Sequence, residues 1–447
     1  MSRTFQTTQT LKAELDTPVL QPDGETNADS PSGAADRVCS KHRVWVISEL
    51  YYPELTSTGY FLTGIAEGLA ETCAVSVLCG QPSYWLRGVR APTREERNGV
   101  QIRRCWATTF NKNKAAFKVV NMLTISTSIL LNAIGRIRRN DTVIVVTNPP
   151  LLPYLVALAC RAKRARLVLL VHDVYPEILV QLGLLKPKSV FIKAMNVVSS
   201  WLYRSSAQVL VIGRDMRDLI AKKLPPHGLG NITIAPNWAD TRATFPKSRD
   251  DSNLLTSLGI DNKFVVQFWG NMGRPHCVED IVQAAELLAA EPGIHFLLIG
   301  WGTRKPWVVA EQKRRSLVNM TILDPLPREQ SCEVQNACDL AINTLSSGMT
   351  GISVPSRSYN AMAAAKPILA VCDADSELSR MVREEDIGWV IPPGRPDLLA
   401  AALREAAANR DRLRAMGQRA RQVVEAKYTP ASVIGIYQAV IEGLRAC

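Results

Sequence analysis

Two stretches combine glycine with cations in a way that suits a phosphate. Gly270-Asn271-Met272-Gly273-Arg274-Pro275-His276 follows one apolar run, and Gly300-Trp301-Gly302-Thr303-Arg304-Lys305 follows another. Glycine lets a backbone come close to a ligand, and an arginine beside it can clamp phosphate oxygens. A lone Gly-x-Gly says little. Two glycine–cation loops after successive strands of one sheet would converge on one edge, where Arg and Lys neutralise the charge of a leaving diphosphate. A third stretch is denser still. Gly348 and Gly351 sit in a polar loop that leads through Val354-Pro355-Ser356-Arg357 into an alanine-rich segment ending at Lys366-Pro367. Pro355 and Ser356 suit a helix start, so Ser356, Arg357 and the first helical amides can all face an anion.

The other chemically suggestive positions are more ambiguous. His172-Asp173 ends an apolar run, with Glu177 four residues beyond Asp173. Such a group can do acid–base work or hold an acceptor hydroxyl, and Asp173 can equally cap a helix. The loop Pro53-Glu54-Leu55-Thr56-Ser57-Thr58-Gly59 precedes a helix and offers amides to an anion, or is a plain turn. Asp373-Ala374-Asp375 has the spacing of a metal-holding carboxylate pair, but Ser376-Glu377-Leu378 after it reads as a helix start, and capping is the preferred reading. The five histidines show no metal-ligand spacing and no CxxC pair occurs among the ten cysteines, so no metal is expected.

These loops must be carried by a scaffold, and the hydrophobic pattern indicates which. From residue 44 onward short apolar strands alternate with helices, in two blocks of about 180 residues. Continuous apolar strands between helices mean parallel sheets covered on both faces, and ligands then bind outside the strands' carboxyl ends. The expected organisation is a disordered tail over 1–41, a Rossmann-like domain over 42–235, a linker over 236–247, a second Rossmann-like domain over 248–428 and a last helix over 429–447. The net charge of +12 points to an anionic partner; without a nucleic-acid motif and with 6% aromatics, phosphorylated small molecules or a membrane surface fit better than nucleic acid. No secretory signal pattern is seen, and the cysteines sit in apolar runs, so a reducing, cytoplasmic location is expected. Residues 119–135 are uncharged and apolar, followed by Arg136, Arg138 and Arg139. They read either as a buried helix of the first domain or as a helix on the surface of a membrane.

With these residues in view, the chain resembles the family 4 retaining glycosyltransferases, and most closely their bacterial WbuB-like, colanic-acid-type members. The resemblance spans residues 43–440. It rests on Tyr52-Pro53-Glu54 with Thr58-Gly59, on His172 to Glu177, on Pro236-Asn237-Trp238, and most specifically on Gly270 to Arg274 and on Val354-Pro355-Ser356-Arg357 through Lys366-Pro367. It implies a GT-B fold, an α/β architecture of two doubly wound Rossmann-like domains facing each other across a cleft. The first domain would hold the acceptor, with His172 and Asp173 as catalytic-side residues and Glu54 and Glu177 near them. The second would hold a nucleotide sugar. Asn271, Arg274, Lys305, Ser356 and Arg357 would contact its diphosphate, with Thr58-Gly59 reaching across the cleft, and Asn360 and Glu377 would meet the ribose.

The implied reaction retains the anomeric configuration and needs no cofactor or metal. Its acceptor would be a glycan or polyprenyl-diphosphate-linked glycan of a surface polysaccharide, at or near the inner face of the cell membrane. The chain departs from the family in one respect: the two usual glutamates, eight positions apart, are Ile352 and Asn360, and the usual glycine before the basic-Pro pair is Ala365. Asn360 can still hydrogen-bond a hydroxyl. Two other readings compete, a sugar-nucleotide epimerase on a similar fold and a non-catalytic membrane-surface scaffold.

Overall fold

The computed structural model describes residues 41–446 apart from 55, 85, 87, 111–113 and 226–229. The expected tail therefore lies, up to residue 40, outside the described residues. The first domain is built on an eight-stranded sheet of β1 (Arg43–Ile47), β2 (Ala74–Cys79), β3 (Arg94–Arg97), β4 (Val100–Arg104), β5 (Thr142–Val146), β6 (Arg166–Val171), β7 (Gln208–Val211) and β8 (Ile232–Ile234). Their spatial order is β3-β4-β2-β1-β5-β6-β7-β8, and every pair is parallel except β3 with β4. The second domain has a wholly parallel sheet of β9 (Phe264–Asn271), β10 (Ile294–Trp301), β11 (Met320–Leu323), β12 (Leu340–Thr344), β13 (Ile368–Val371) and β14 (Gly388–Ile391), in the order β11-β10-β9-β12-β13-β14. Both orders reverse direction beside the first strand of their domain, at β1/β5 and at β9/β12. Those switch points open the crevices in which a doubly wound sheet binds ligands.

The central strands are apolar because both faces are covered. All five residues of β5 are buried, as are the five that follow Arg166 in β6. On one face of the first sheet lie α1 (Ser57–Ala70) and the last helix of the chain. On the other lie α2 (Ala115–Arg136) and α3 (Leu152–Lys163); the short α4 (Glu177–Gln181) instead places Ile178 in an apolar cluster with the second domain, and α5 (Val190–Ser205) and α6 (Arg214–Ala221) return to the sheet. The second domain adds α7 (Asn253–Leu258), α8 (Val278–Leu287), α9 (Lys305–Arg314), α10 (Ser331–Asn336), α11 (Arg357–Ala363), α12 (Glu377–Glu384), α13 (Pro396–Ala408) and α14 (Arg410–Lys427). The chain then returns to the first domain as α15 (Pro430–Ala446), whose Val433, Tyr437 and Ile441 join the core beneath α1. Gly68 lets the two helices touch: a Cβ there would stand 2.6 Å from Ile434.

Two elements escape a reading of hydrophobic periodicity. The β3–β4 hairpin is charged along Arg94–Arg97, as suits an exposed sheet edge. Its sign is the pair Asn98-Gly99, with φ of 49° and 76°, the two positive values that a two-residue hairpin turn requires. Helix α14 is strongly charged, yet Leu413, Met416, Gly417, Ala420 and Val424 form a narrow buried stripe. Gly417 lies so close to α11 that a Cβ would come within 2.2 Å of the Ala365 carbonyl oxygen.

Candidate active site

The carboxyl ends of β9 and β12 place two loops against each other. Ser346 N donates to the Pro275 carbonyl at 2.8 Å, closing the switch point of the second sheet. Within it His276 donates from Nδ1 to the Thr344 carbonyl at 2.6 Å, which leaves Nε2 as the acceptor for Arg357 Nη2 at 2.8 Å. Burial, then the Arg357 charge, pushes the His276 pKa down to about 3, so the ring is neutral at pH 7. The Arg357 guanidinium stacks on Phe268, 4.6 Å from the ring centre, and lies against Gly270, where a Cβ would stand 3.3 Å from Cζ. Burial lowers its pKa only to about 10, so it remains a cation. Its Nη1 is buried and has no hydrogen-bond partner among the described residues. An ionised donor held stiffly by an aromatic ring and an imidazole, with one N–H pair unmatched, is poised for an anion.

The first domain brings its own helix start to this point. Thr56 caps α1 by accepting from Gly59 N at 3.2 Å, and Gly59 must lack a side chain because a Cβ would lie 2.6 Å from the Glu54 carbonyl oxygen. Ser57 Oγ of α1 meets Ser356 Oγ, at the start of α11, at 3.3 Å. The positive ends of two helices, one from each domain, thus converge beside Arg357. At the carboxyl end of β6, the backbone amides of His172 and Asp173 both donate to Thr147 Oγ1, at 3.2 and 3.3 Å. Both side chains are half-buried. Burial holds His172 neutral, with a pKa of about 4, and raises Asp173 to about 6 against the opposing hydrogen bond from the Ser353 hydroxyl of the second domain.

The domains are locked beside this cleft by an exchange of carboxylates between helix starts. Asp215 of α6 accepts from Gly351 N and Glu377 N, both at 2.9 Å, while Glu377 of α12 accepts from Arg214 N at 2.7 Å and pairs with its guanidinium at 3.0 Å. Each carboxylate satisfies amides at the other domain's helix N-terminus. Val174 N donates to the Ile352 carbonyl at 3.1 Å, adding a backbone link across the same seam.

Several sequence-predicted residues have partners within the protein. Glu377, expected at a ribose, is held at the domain seam by Arg214 and the α6 amide. Lys305 directs its Nζ to the Gly300 and Leu323 carbonyls and to Asp324, at 2.8, 2.7 and 2.6 Å, which occupies its three protons on the protein. Glu54 is buried and accepts from Ser83 N and Tyr84 N at 2.9 and 2.8 Å, fixing a loop. Glu177 pairs with Lys223 at 2.5 Å. Gly300 and Gly302 are glycines because the two loops abut: Cβ atoms there would stand 1.9 Å from the Gly270 oxygen and 2.4 Å from the Met272 oxygen. These glycines let the two loops pack together.

Asp373 accepts from Gly348 N at 2.7 Å and from the hydroxyls of Ser347 and Thr350, bracing the glycine loop, and the cap of α12 is Ser376. Ile352 is packed in an apolar cluster with Ile178 of the first domain. Arg274 is exposed, donating from Nη1 to the Leu182 carbonyl at 3.2 Å, and Asn271 is exposed beside Gly273 and Gly302. Thr58 lies in the first turn of α1 and Asn360 one turn into α11, both half-buried. Periodicity did not single out Arg214, Asp215, Ser353 or Phe268. The signal available for Asp215 was a carboxylate in the first turn after Gly213.

This architecture and its cleft have counterparts among known proteins. Residues 58–238 match the model of the glycosyl transferase 4-like domain, and residues 252–423 match that of the glycosyl transferases group 1. The chain is 32% identical over 365 residues to the probable glycosyltransferase WbjE of Pseudomonas aeruginosa, covering 81% of this chain and 89% of that one. It is 24% identical over 376 residues to the putative colanic acid biosynthesis glycosyl transferase WcaI of Escherichia coli, covering 80% and 90%. Among solved structures, sucrose-phosphate synthase from Thermosynechococcus elongatus superposes with a TM-score of 0.72 at 14% identity, covering 91% of this chain and all of that one. HepE of Anabaena, in complex with UDP-glucose, superposes with a TM-score of 0.68 at 15% identity, covering 91% and 100%. With two parallel-sheet domains meeting at their carboxyl edges and a relative of this identity and coverage, the chain has the GT-B fold and belongs to the family 4 glycosyltransferases.

Proposed function

We propose that this glycosyltransferase moves a hexosyl or N-acetylhexosaminyl group, with retention, from a nucleotide-diphosphate sugar to a glycan or polyprenyl-diphosphate-linked acceptor of a surface polysaccharide. The observation that carries the reading is the meeting of the α1 and α11 starts at Ser57 and Ser356, beside the unmatched Nη1 of Arg357. A diphosphate is the ligand whose charge matches two helix N-termini and a guanidinium. The bond from the anomeric carbon to the diphosphate breaks, the acceptor hydroxyl forms the new bond on the same face, and its proton passes to the departing phosphate oxygen. Arg357, the helix amides and the exposed Arg274 stabilise the charge that develops there.

No metal is needed in this scheme, since cations of the protein supply the neutralisation and Asp373 is engaged by its own loop. Asp173 and His172 lie on the acceptor side, where an ionised Asp173 orients the incoming hydroxyl. The name of WcaI, a putative colanic acid biosynthesis glycosyl transferase, supports a role in polysaccharide assembly, and a cytoplasmic site for that reaction is part of the proposal. The HepE complex makes UDP-glucose the first donor to test.

The test is a thermal-shift and isothermal titration screen of nucleotide sugars against the wild type and Arg357→Ala. A donor that raises the wild-type melting temperature is expected to bind at least tenfold more weakly to the variant. Equal binding of every stabilising nucleotide sugar to both proteins would refute the assignment. Consumption of donor without acceptor would point to epimerisation instead.

A further inference from the structure

The helices α2, α3 and α5 pack side by side on one face of the first sheet and share its core. On α2 the inward residues Asn121, Ile125, Ile129 and Ala133 are buried, so this helix is anchored in the domain and does not stand free as a span. Its outer side is apolar too. Val120, Leu123, Leu131 and Ile134 are exposed, Leu131 by 67%. The neighbouring helices continue the surface with Leu158 on α3 and with Val190 and Val197 on α5, which are 50%, 82% and 67% exposed. Trp106 and Phe110, in the loop that leads into α2, are 71% and 46% exposed. Contiguous apolar exposure on this scale marks a docking surface.

The charge around that surface specifies the partner. Neither α2, α3 nor α5 contains an aspartate or glutamate, and none occurs between Glu177 and Asp215. The last turns carry Arg136 on α2, Arg161 and Lys163 on α3, and Arg204 on α5, with Arg138 and Arg139 just beyond α2. Arg136, Arg138, Lys163 and Arg43 rim a cavity of about 570 Å³ at the amino edge of the sheet, floored by Trp45, Ser76 and Gln101. Like charges crowd there, and Arg103 beside it has its pKa lowered by burial and then by Arg136 and Arg94. An apolar face whose helices end in cations, with the nearby carboxylate of Asp141 buried behind Arg43, suits the plane of an anionic bilayer, with hydrocarbon under the helices and phosphate headgroups at their basic ends.

We infer that the α2–α3–α5 face docks the protein on the surface of a membrane rich in anionic phospholipid, with the basic cavity taking headgroup phosphates. The starts of these helices lie at the carboxyl edge of the sheet, the edge that carries His172 and Asp173. A membrane-held acceptor would therefore meet the cleft from the side. The inference rests on the surface alone and stands whether or not the sugar-transfer reading holds.

The experiment is vesicle co-sedimentation at low ionic strength, with phosphatidylcholine alone or mixed with phosphatidylglycerol. Each basic residue near the surface changes partitioning by about fivefold. The wild type is expected to bind the mixed vesicles and to be released by salt. Leu131→Ser/Val197→Ser, and separately Arg138→Gln/Arg139→Gln, should each bind at least tenfold more weakly while keeping the wild-type circular dichroism spectrum and nucleotide-sugar binding. Binding that ignores the anionic fraction, or that survives both variants, would overturn the proposal. So would a dimer in sedimentation velocity that L131S/V197S disrupts, with no vesicle binding, since the face would then cover a second copy of the chain.

Discussion

Arg357 concentrates several demands in one side chain. It needs an aromatic platform in Phe268, a neutral imidazole acceptor in His276 and the bare backbone of Gly270. A lysine has neither the planar stack nor the fork, so Arg357→Lys is expected to resemble Arg357→Ala, each losing about 100-fold in donor kcat/KM, or ~3 kcal/mol of transition-state stabilisation. Steady-state kinetics with varied donor check this; a lysine variant near wild type would show that point charge suffices. A second residue carries a stability prediction. Ala365 has φ of 52°, a left-handed conformation that costs a non-glycine residue about 1 kcal/mol. Ala365→Gly relieves that strain but widens the unfolded ensemble, so a net gain of up to ~1 kcal/mol is expected in urea unfolding.

Among the elements, α6 and α12 are joined end to end across the domain seam. Asp215 and Glu377 bond amides at each other's helix starts, and Arg214 closes the circuit. In a double-mutant cycle, Arg214→Ala and Glu377→Ala should show a coupling of about 1–3 kcal/mol, because the pair is partly buried and shares backbone partners. Urea unfolding followed by tryptophan fluorescence reads it out. Additive losses would mean that the seam is held elsewhere. The Gly270, Gly300 and Gly302 loops behave as one unit at this scale. Gly302→Ala forces a Cβ into the Met272 carbonyl, so it should destabilise the second domain by roughly 1–3 kcal/mol as well as weaken donor binding.

Over the whole molecule, burial of titratable groups around the cleft makes both activity and stability depend on pH. Asp173 is held at about 6 by burial, so it takes up a proton as pH falls through that value and ceases to accept from an acceptor hydroxyl. The acid limb of kcat/KM is therefore expected near pH 6, falling about tenfold per unit below it, and to vanish in Asp173→Asn. Stability follows a separate balance. His172 and His276, depressed by burial to about 4 and 3, contribute stability that is present above 6.5 and is lost as pH falls through those values. The raised Asp173 acts in the opposite sense, its contribution being present below 3.8 and lost as pH rises through about 6. Between pH 6 and 4.5 these three leave the unfolded chain with about one more bound proton, a contribution of ~1.4 kcal/mol lost per pH unit on acidification; His295, also lowered by burial to about 4, adds in the same direction, and Asp215 and Asp280, raised by burial, oppose it. Denaturation midpoints across that range, with His276→Gln as the variant that flattens the slope, measure it.

Much of this was legible in the residues themselves. Runs such as Thr142–Val146 are apolar throughout because parallel strands are covered twice, so the two α/β blocks and nearly every strand could be read from composition alone. The helix start at Pro355-Ser356, and the motifs that mark the family, were equally visible, whereas Thr56 to Gly59 read as a loop before a helix that in fact begins at Ser57. The charged hairpin and α14 were not, because their buried residues are few and their signals lie in a turn dipeptide and a narrow stripe. Tertiary structure alone decided which polar residues face the cleft. Lys305, Glu54, Glu177 and Glu377 have the right chemistry, but each is drawn to a protein partner that folding brings within hydrogen-bond distance. Sequence determines which groups are available, whereas pairing depends on distances between segments far apart in the chain, from 19 residues for Lys305 and Asp324 to 163 for Arg214 and Glu377. The same holds for α2: its apolar character was plain in the sequence, but only packing showed that one side enters the core while the other faces outward.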